Sequence, residues 1–195
     1  MTAAKPRLIL ASASPRRLEL LRQMNIVPDA VMPADIDETP TKAELPIPYA
    51  CRIAARKAEK IRETITDAVV LSADTVVACG RRILPKAETE EQARACLALL
   101  SGRRHRVISA VSVIDAAGKQ QTRPVISVVK FKRLSARDIE TYINSGEWKG
   151  KAGGYAIQGI AAAFIPYISG SYTAIVGLPL AETIAMIRSA GYERD

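Results

Sequence analysis

A chain of 195 residues with 48% apolar and 25% charged side chains can bury a substantial core, which excludes the composition of a disordered protein. Its formal charge of +8 favours an anionic partner without choosing between nucleic acid, an acidic membrane and a nucleotide. Cys51, Cys79 and Cys96 are odd in number and lack CxxC spacing, against a disulfide framework or cysteine zinc site; the longest mainly apolar stretch, residues 156–168, is interrupted by Gln158, Gly159 and Pro166 and is too short to cross ~30 Å of hydrocarbon.

No signal-peptide pattern is read at the start of the chain, so the expectation is a cytoplasmic protein with one domain over residues 1–195. Residues 8–10 read as a short buried strand, followed by a polar loop over residues 11–14 and a helix with Leu18, Leu21 and Met24 at helical spacing. Ser14 is a good N-cap and Pro15 a good first helical residue. Residues 28–48 are Pro-rich and acidic, with Asp35, Asp37 and Glu38 at their centre, and predict mostly loop. Residues 49–63 form an amphipathic helix with Ala50, Ile53, Ala54, Ala58 and Ile61 on one stripe.

Residues 68–78 are almost wholly apolar, as in a strand covered on both faces, and a hairpin-like segment, residues 79–84, follows. Thr89 with Gln92 makes a capping box for a helix ending at Ser101 and Gly102. Residues 105–114 and 121–131 predict two strands joined by a turn at Ala117 and Gly118. Ser135 with Asp138 opens a further helix, and a glycine-rich segment, residues 146–159, comes next. Residues 162–168 and 172–176 are predicted as strands, and residues 179–189 as the last helix. Mixed helices and strands, with hairpins and a crossover, predict an α/β protein with a mixed sheet.

Three places break local rules, which real proteins tend to do at functional sites. Arg16 and Arg17 lie in the first turn of a helix, where the macrodipole disfavours cations; an anion held by the free N–H groups, Ser12, Ser14 and the two guanidiniums would reverse that. The alternative is two solvated arginines. Asp74 sits within an apolar strand and needs a partner or a metal, unless it caps a turn at a strand end. Lys57 falls on the apolar stripe of its helix, where its stem either snorkels to water or its ammonium meets an anion in a cleft. His105 is the only histidine, which excludes a multi-histidine metal cluster, and no Walker A or zinc motif is present.

Five segments in order (LASASPRRLELL from Leu10, SADTVV from Ser72, LSGRRHRV from Leu100, KAGGYAIQG from Lys151 and VGLPL from Val176) closely resemble the Maf family of nucleotide pyrophosphatases. The resemblance spans about residues 8–183. It implies an α/β fold like that of inosine triphosphate pyrophosphatases: a mixed, twisted central sheet flanked by helices, with a cleft between two lobes. It also implies a divalent cation, Mg2+ or Mn2+, cleavage of a nucleoside triphosphate between the α and β phosphates, and a homodimer, with neither nucleic acid nor membrane as partner.

By position, the resemblance makes Ser12, Arg16 and Arg17 phosphate-handling residues, Lys57 and Lys86 catalytic lysines, Asp74 the proton acceptor and Glu38 an acidic residue near the metal. Lys86 stands between Pro85 and Ala87, where the family usually has Gly-Lys-Pro, so its local turn must differ. The Pro-Arg-Arg start and Gln158 resemble the dTTP/UTP pyrophosphatase branch rather than the 7-methyl-GTP branch, making Arg16, Thr75 and Gln158 specificity positions. The amide of Gln158 carries both a donor and an acceptor, matching the N3–H and O4 edge of uracil or thymine. The competing classes are a nucleic-acid-binding protein, whose binding would be steeply salt-dependent, and a regulator of septum formation, an association of the same family; carboxylates where a DNA surface would not want them favour the enzyme.

Overall fold

The computed structural model describes residues 6–193. Its centre is a seven-stranded mixed sheet built from β1 (Arg7–Leu10), β2 (Ala30–Val31), β3 (Ala68–Cys79), β4 (Arg82–Leu84), β6 (Arg104–Ile114), β7 (Gln120–Lys130) and β9 (Tyr167–Ser169), in the order β2-β1-β3-β6-β7-β9 with β4 on β3. The two-residue strands β5 (Lys86–Ala87) and β8 (Lys151–Ala152) form a separate antiparallel pair.

The chain changes direction around β3. α1 (Pro15–Gln23) and α2 (Pro46–Arg62) are crossovers, so β1 pairs in parallel with both β2 and β3. From β3 onward the pairing is antiparallel, β3 with β6, β6 with β7 and β7 with β9. β3 is therefore a central strand, and residues 68–74 of it are fully buried or nearly so, which explains its unbroken apolar run. α2 lays Ala50, Ile53 and Ala54 on Val76, Ile108 and Ala110, and Ala58 and Ile61 on β1 and the start of β3. The opposite face carries the larger core, including α3 (Glu90–Leu100), α4 (Ala136–Ser145) and α6 (Leu180–Ser189). Both predicted capping boxes form, Thr89 with Gln92 and Ser135 with Asp138. No helix among the described residues is long and apolar enough to cross a membrane.

Three expectations are corrected. Residues 162–168 do not form one strand: a 3-10 turn, Ile160–Phe164, precedes the short β9, and Pro166 separates them. Residues 172–176 form a helix, α5 (Tyr172–Val176), because Ser171 Oγ accepts the Ala174 N–H at 3.2 Å as an N-cap and Gly177 ends the turn. In α1 the buried residues are Arg17, Leu20 and Leu21, while Met24 is an exposed C-cap, so the inward stripe differs from the predicted Leu18, Leu21 and Met24.

His105 lies in β6 and is 2% exposed, with Nε2 2.7 Å from the Tyr155 hydroxyl and Nδ1 without a partner. Burial pushes its pKa down from 6.5 to about 4. Between these values the unfolded chain takes up a proton that the folded one refuses, so stability is complete above about pH 6.5 and falls as pH drops towards 4. The expected loss is about 3 kcal/mol. Urea unfolding of native protein and His105→Phe between pH 4 and 7 checks this; equal pH slopes in the two would refute it.

Candidate functional site

A cleft of about 480 Å3 opens where the β1–α1 loop, the C-terminal part of α2, the middle of β3 and the segment around β8 meet. That volume is in the range of small-ligand pockets. Ser12, Arg16, Arg17, Glu38, Lys57, Asp74, Thr75, Lys86 and Gln158 all line it, so the structure brings every site residue expected from sequence to one cavity.

Asp74 is 3% exposed in the middle of β3, paired with Ala110 of β6; it does not cap a strand end. Its Oδ1 accepts a hydrogen bond from Lys57 Nζ at 2.9 Å. Lys57 is 7% exposed and does not snorkel to water. Its ammonium also lies 2.7 Å from Glu38 Oε1, and Lys86 Nζ lies 2.6 Å from Glu38 Oε2. Two lysines and two carboxylates thus alternate as Lys86, Glu38, Lys57, Asp74, which compensates charges that would be costly to bury singly. Burial opposes ionisation of Glu38, but the hydrogen bonds from Lys57 and Lys86 outweigh it and hold its carboxyl below the usual range.

Glu38 comes from irregular backbone, which α2 fixes from the side. The Tyr49 hydroxyl donates to the Glu38 carbonyl at 2.7 Å, and Arg52 clamps Glu44 with Nε and Nη2 at 2.8 and 2.6 Å. The latter is a forked arginine–carboxylate pair. Lys86 is placed by β5, whose two residues, Lys86 and Ala87, pair with Ala152 and Lys151 of β8, so the residues after Pro85 are held as a strand. Gly153 allows β8 to lie against β3: a Cβ there would stand 2.7 Å from Val77 Cγ1.

The two neighbouring arginines differ. Arg17 is buried, donating from Nε to the Gly177 carbonyl at 2.8 Å, from Nη1 to Ser12 Oγ at 3.0 Å and from Nη2 to Thr75 Oγ1 at 3.3 Å. Ser109 Oγ donates its one hydrogen to the Ala174 carbonyl at 2.6 Å, so Thr75 donates to Ser109 at 2.9 Å and accepts from Arg17. Arg17 therefore ties the β1–α1 loop to β3 and to the end of α5. Arg16 is half-buried, and burial lowers its guanidinium pKa. Ser14 occupies the N-cap of α1, but its hydroxyl makes no capping bond; Pro15 has no N–H and the Arg17 N–H reaches the Ser14 carbonyl at 3.2 Å, which leaves the Arg16 N–H, unpaired among the described residues, for another acceptor.

Sequence reasoning missed Lys149, Lys151 and Tyr155 on the cleft wall. Lys151 is half-buried with Nζ 3.0 Å from the Lys149 carbonyl, and its pKa is lowered by burial first and by Arg16 second. Lys151 lies inside one of the segments noted from the sequence, but nothing in local spacing marks it. The cleft thus has one charge-compensated side, Lys57 and Lys86 with Asp74 and Glu38, and one side where Arg16, Lys149 and Lys151 collect positive charge.

Over residues 7–190 the chain matches the family model described as Maf-like protein. It is 55% identical to the dTTP/UTP pyrophosphatase of Rhodopseudomonas palustris (strain BisB5), covering 96% of this chain and 94% of that protein. It is 58% identical to the dTTP/UTP pyrophosphatase of Gluconobacter oxydans (strain 621H), covering 94% and 87%. Among solved structures, a HAM1 protein from Coxiella burnetii superposes with a TM-score of 0.50 over 94% of this chain and 99% of that one, at 14% identity. At that identity the likeness is one of fold.

Proposed function

This chain belongs to the Maf-like protein family, and from that premise we propose that it hydrolyses dTTP and UTP to the nucleoside monophosphate and pyrophosphate. The observation that carries the reading is the cleft itself, which a buried carboxylate, Asp74, shares with Arg16, Lys149 and Lys151, cations that form no ion pair among the described residues. A polyanion with an anhydride bond fits that pairing of charges.

Arg16 and the start of α1, with Lys149 and Lys151, take the phosphate charge, since Lys57 and Lys86 are already paired with carboxylates. Arg17 holds the loop and Thr75 in place, and offers its remaining N–H groups to phosphate. With Oδ1 committed to Lys57, Asp74 has Oδ2 to orient a water and take its proton as the water attacks the α phosphorus. Lys57 holds that carboxylate in position and compensates its charge. Gln158 has an amide without a hydrogen-bond partner among the described residues and reads the pyrimidine edge.

Among the described residues no group of three or more His, Cys, Asp or Glu could hold a metal ion. Glu38 and Asp74 are two hard oxygen ligands, which fit Mg2+ or Mn2+ in the manner of sites completed by water and substrate phosphate rather than an all-protein cage. When bound there, such an ion supplies charge neutralisation and a lower pKa for water. Glu38 and Asp74 would release Lys57 in part to hold it.

A turnover assay with common nucleoside triphosphates, Mg2+ or Mn2+ and resolved products tests the reading. The expected result is monophosphate plus pyrophosphate, fastest from dTTP and UTP. Release of inorganic phosphate and diphosphate, or no turnover with any metal, would refute it.

A further inference from the structure

Gln158 stands on the cleft wall in a turn, exposed and with no side-chain hydrogen bond among the described residues. Its amide is placed only by the backbone that carries it. Within the turn, the Gly159 N–H reaches the Ala156 carbonyl at 3.3 Å and the Ala162 N–H reaches the Gly159 carbonyl at 3.0 Å. Two side chains hold the turn from outside: the Tyr142 hydroxyl accepts the Ala156 N–H at 3.1 Å, and Glu147 Oε2 accepts the Ile160 N–H at 2.8 Å. The second bond caps the 3-10 turn Ile160–Phe164, whose own N-cap, Gly159, has no side chain to do so.

The Glu147 carboxylate lies directly over Gly159, so close that a Cβ built there would overlap it. A side chain at that position would push the carboxylate aside, while the backbone itself, with φ of −112°, would accept one. Glu147 is itself fixed. It follows Gly146, the C-cap of α4, its N–H donates to Ser145 Oγ at 3.2 Å, and the next residue, Trp148, is buried with Nε1 donating to the Ile143 carbonyl at 2.9 Å. A rigid helix end is thereby linked through one carboxylate to the residue beside Gln158.

We propose that Glu147 is a positioning residue for base selection: by holding the Ile160 N–H and seating on Gly159, it sets where the Gln158 amide stands in the cleft. The inference rests on the reading that Gln158 recognises the pyrimidine edge. Loss of the carboxylate frees the turn, and an amide that wanders pairs less well with a base, whereas the loss of the Glu147 charge near Lys151 acts alike on every triphosphate.

The test is kcat/KM for dTTP, UTP, dCTP and dGTP in Glu147→Ala, Glu147→Gln, Gly159→Ala and Gln158→Ala, with thermal melts of each. Glu147→Ala is expected to lower the dTTP-over-dCTP preference by about tenfold, through a fall for dTTP and UTP larger than any change for dCTP and dGTP. Glu147→Gln, whose Oε1 still accepts the N–H, is expected to keep the native preference. Gly159→Ala, which displaces the carboxylate without removing it, gives the same loss as Glu147→Ala and stands in for it should that variant fail to fold. An equal fall for all four nucleotides, or an unchanged preference in a folded Glu147→Ala, overturns the proposal. Gln158→Ala separates the two layers: native preference there removes the base-reading premise and the proposal with it, whereas preference lost in Gln158→Ala but kept in Glu147→Ala overturns only the positioning.

Discussion

Asp74→Asn is expected to fold and to lose turnover of dTTP by about a thousandfold, within the range contributed by a positioned general base. Asparagine has the shape of aspartate, and its amide oxygen can still accept the Lys57 hydrogen bond that Asp74 Oδ1 accepts at 2.9 Å. Lys57 also keeps Glu38 at 2.7 Å, so the buried ammonium is not left without an anion. What is lost is the ability to take a proton from water and one of the two carboxylates of the site. The measurement is steady-state pyrophosphate release beside a circular-dichroism melt. Near-native turnover in a folded variant would rule out Asp74 both as base and as metal ligand.

Lys57→Met is expected to cost both stability and activity. Removing one partner of a buried ion pair typically costs about 3–5 kcal/mol, and here the lost ammonium separates two carboxylates, Asp74 and Glu38. Lys57 is one of the two ammonium groups that hold the Glu38 carboxyl below its usual range. A depressed carboxyl contributes stability that is present above the unfolded pKa and is lost as pH falls through the folded one, so the deficit of the variant is full at neutral pH and shrinks as pH falls. The gap in melting temperature between native protein and Lys57→Met should therefore be wide at pH 8 and narrow towards pH 4. A gap independent of pH would mean that methionine's loss is one of packing alone.

The sequence made the regular part of this fold legible because its signals are local. Capping pairs at Thr89 and Ser135 and the apolar stripe of α2 need only neighbours three or four residues away, and each appears where expected. The misread residues 172–176 are aromatic and β-branched in part, which favours strand, but burial of Ala174, Ile175 and Val176 and the cap by Ser171 decide for helix. At the site, anomalies of position were readable: a lysine on an apolar stripe and an aspartate in an apolar strand. Their pairing was not, since Lys57 and Asp74 lie on different elements and Glu38 reaches them from a loop. Lys149 and Lys151 escaped for a different reason. Lysines among glycines break no local rule, and only the tertiary approach of β8 to the cleft makes them part of a charged wall.

The bond from Arg17 to the Gly177 carbonyl joins residues 160 apart in the chain, and that separation has a bearing on synthesis. As the protein is made from its N-terminus, the β1–α1 loop and Arg17 exist long before the Gly177 carbonyl does. Until Gly177 has been added and has cleared the ribosome, the guanidinium has Ser12 and Thr75 but lacks the acceptor for its Nε. A chain stalled short of that point would carry all of the residues from Ser12 to Gln158 and still lack the bond that ties Arg17 to the end of α5, so hydrolysis is expected to begin only with nearly complete molecules.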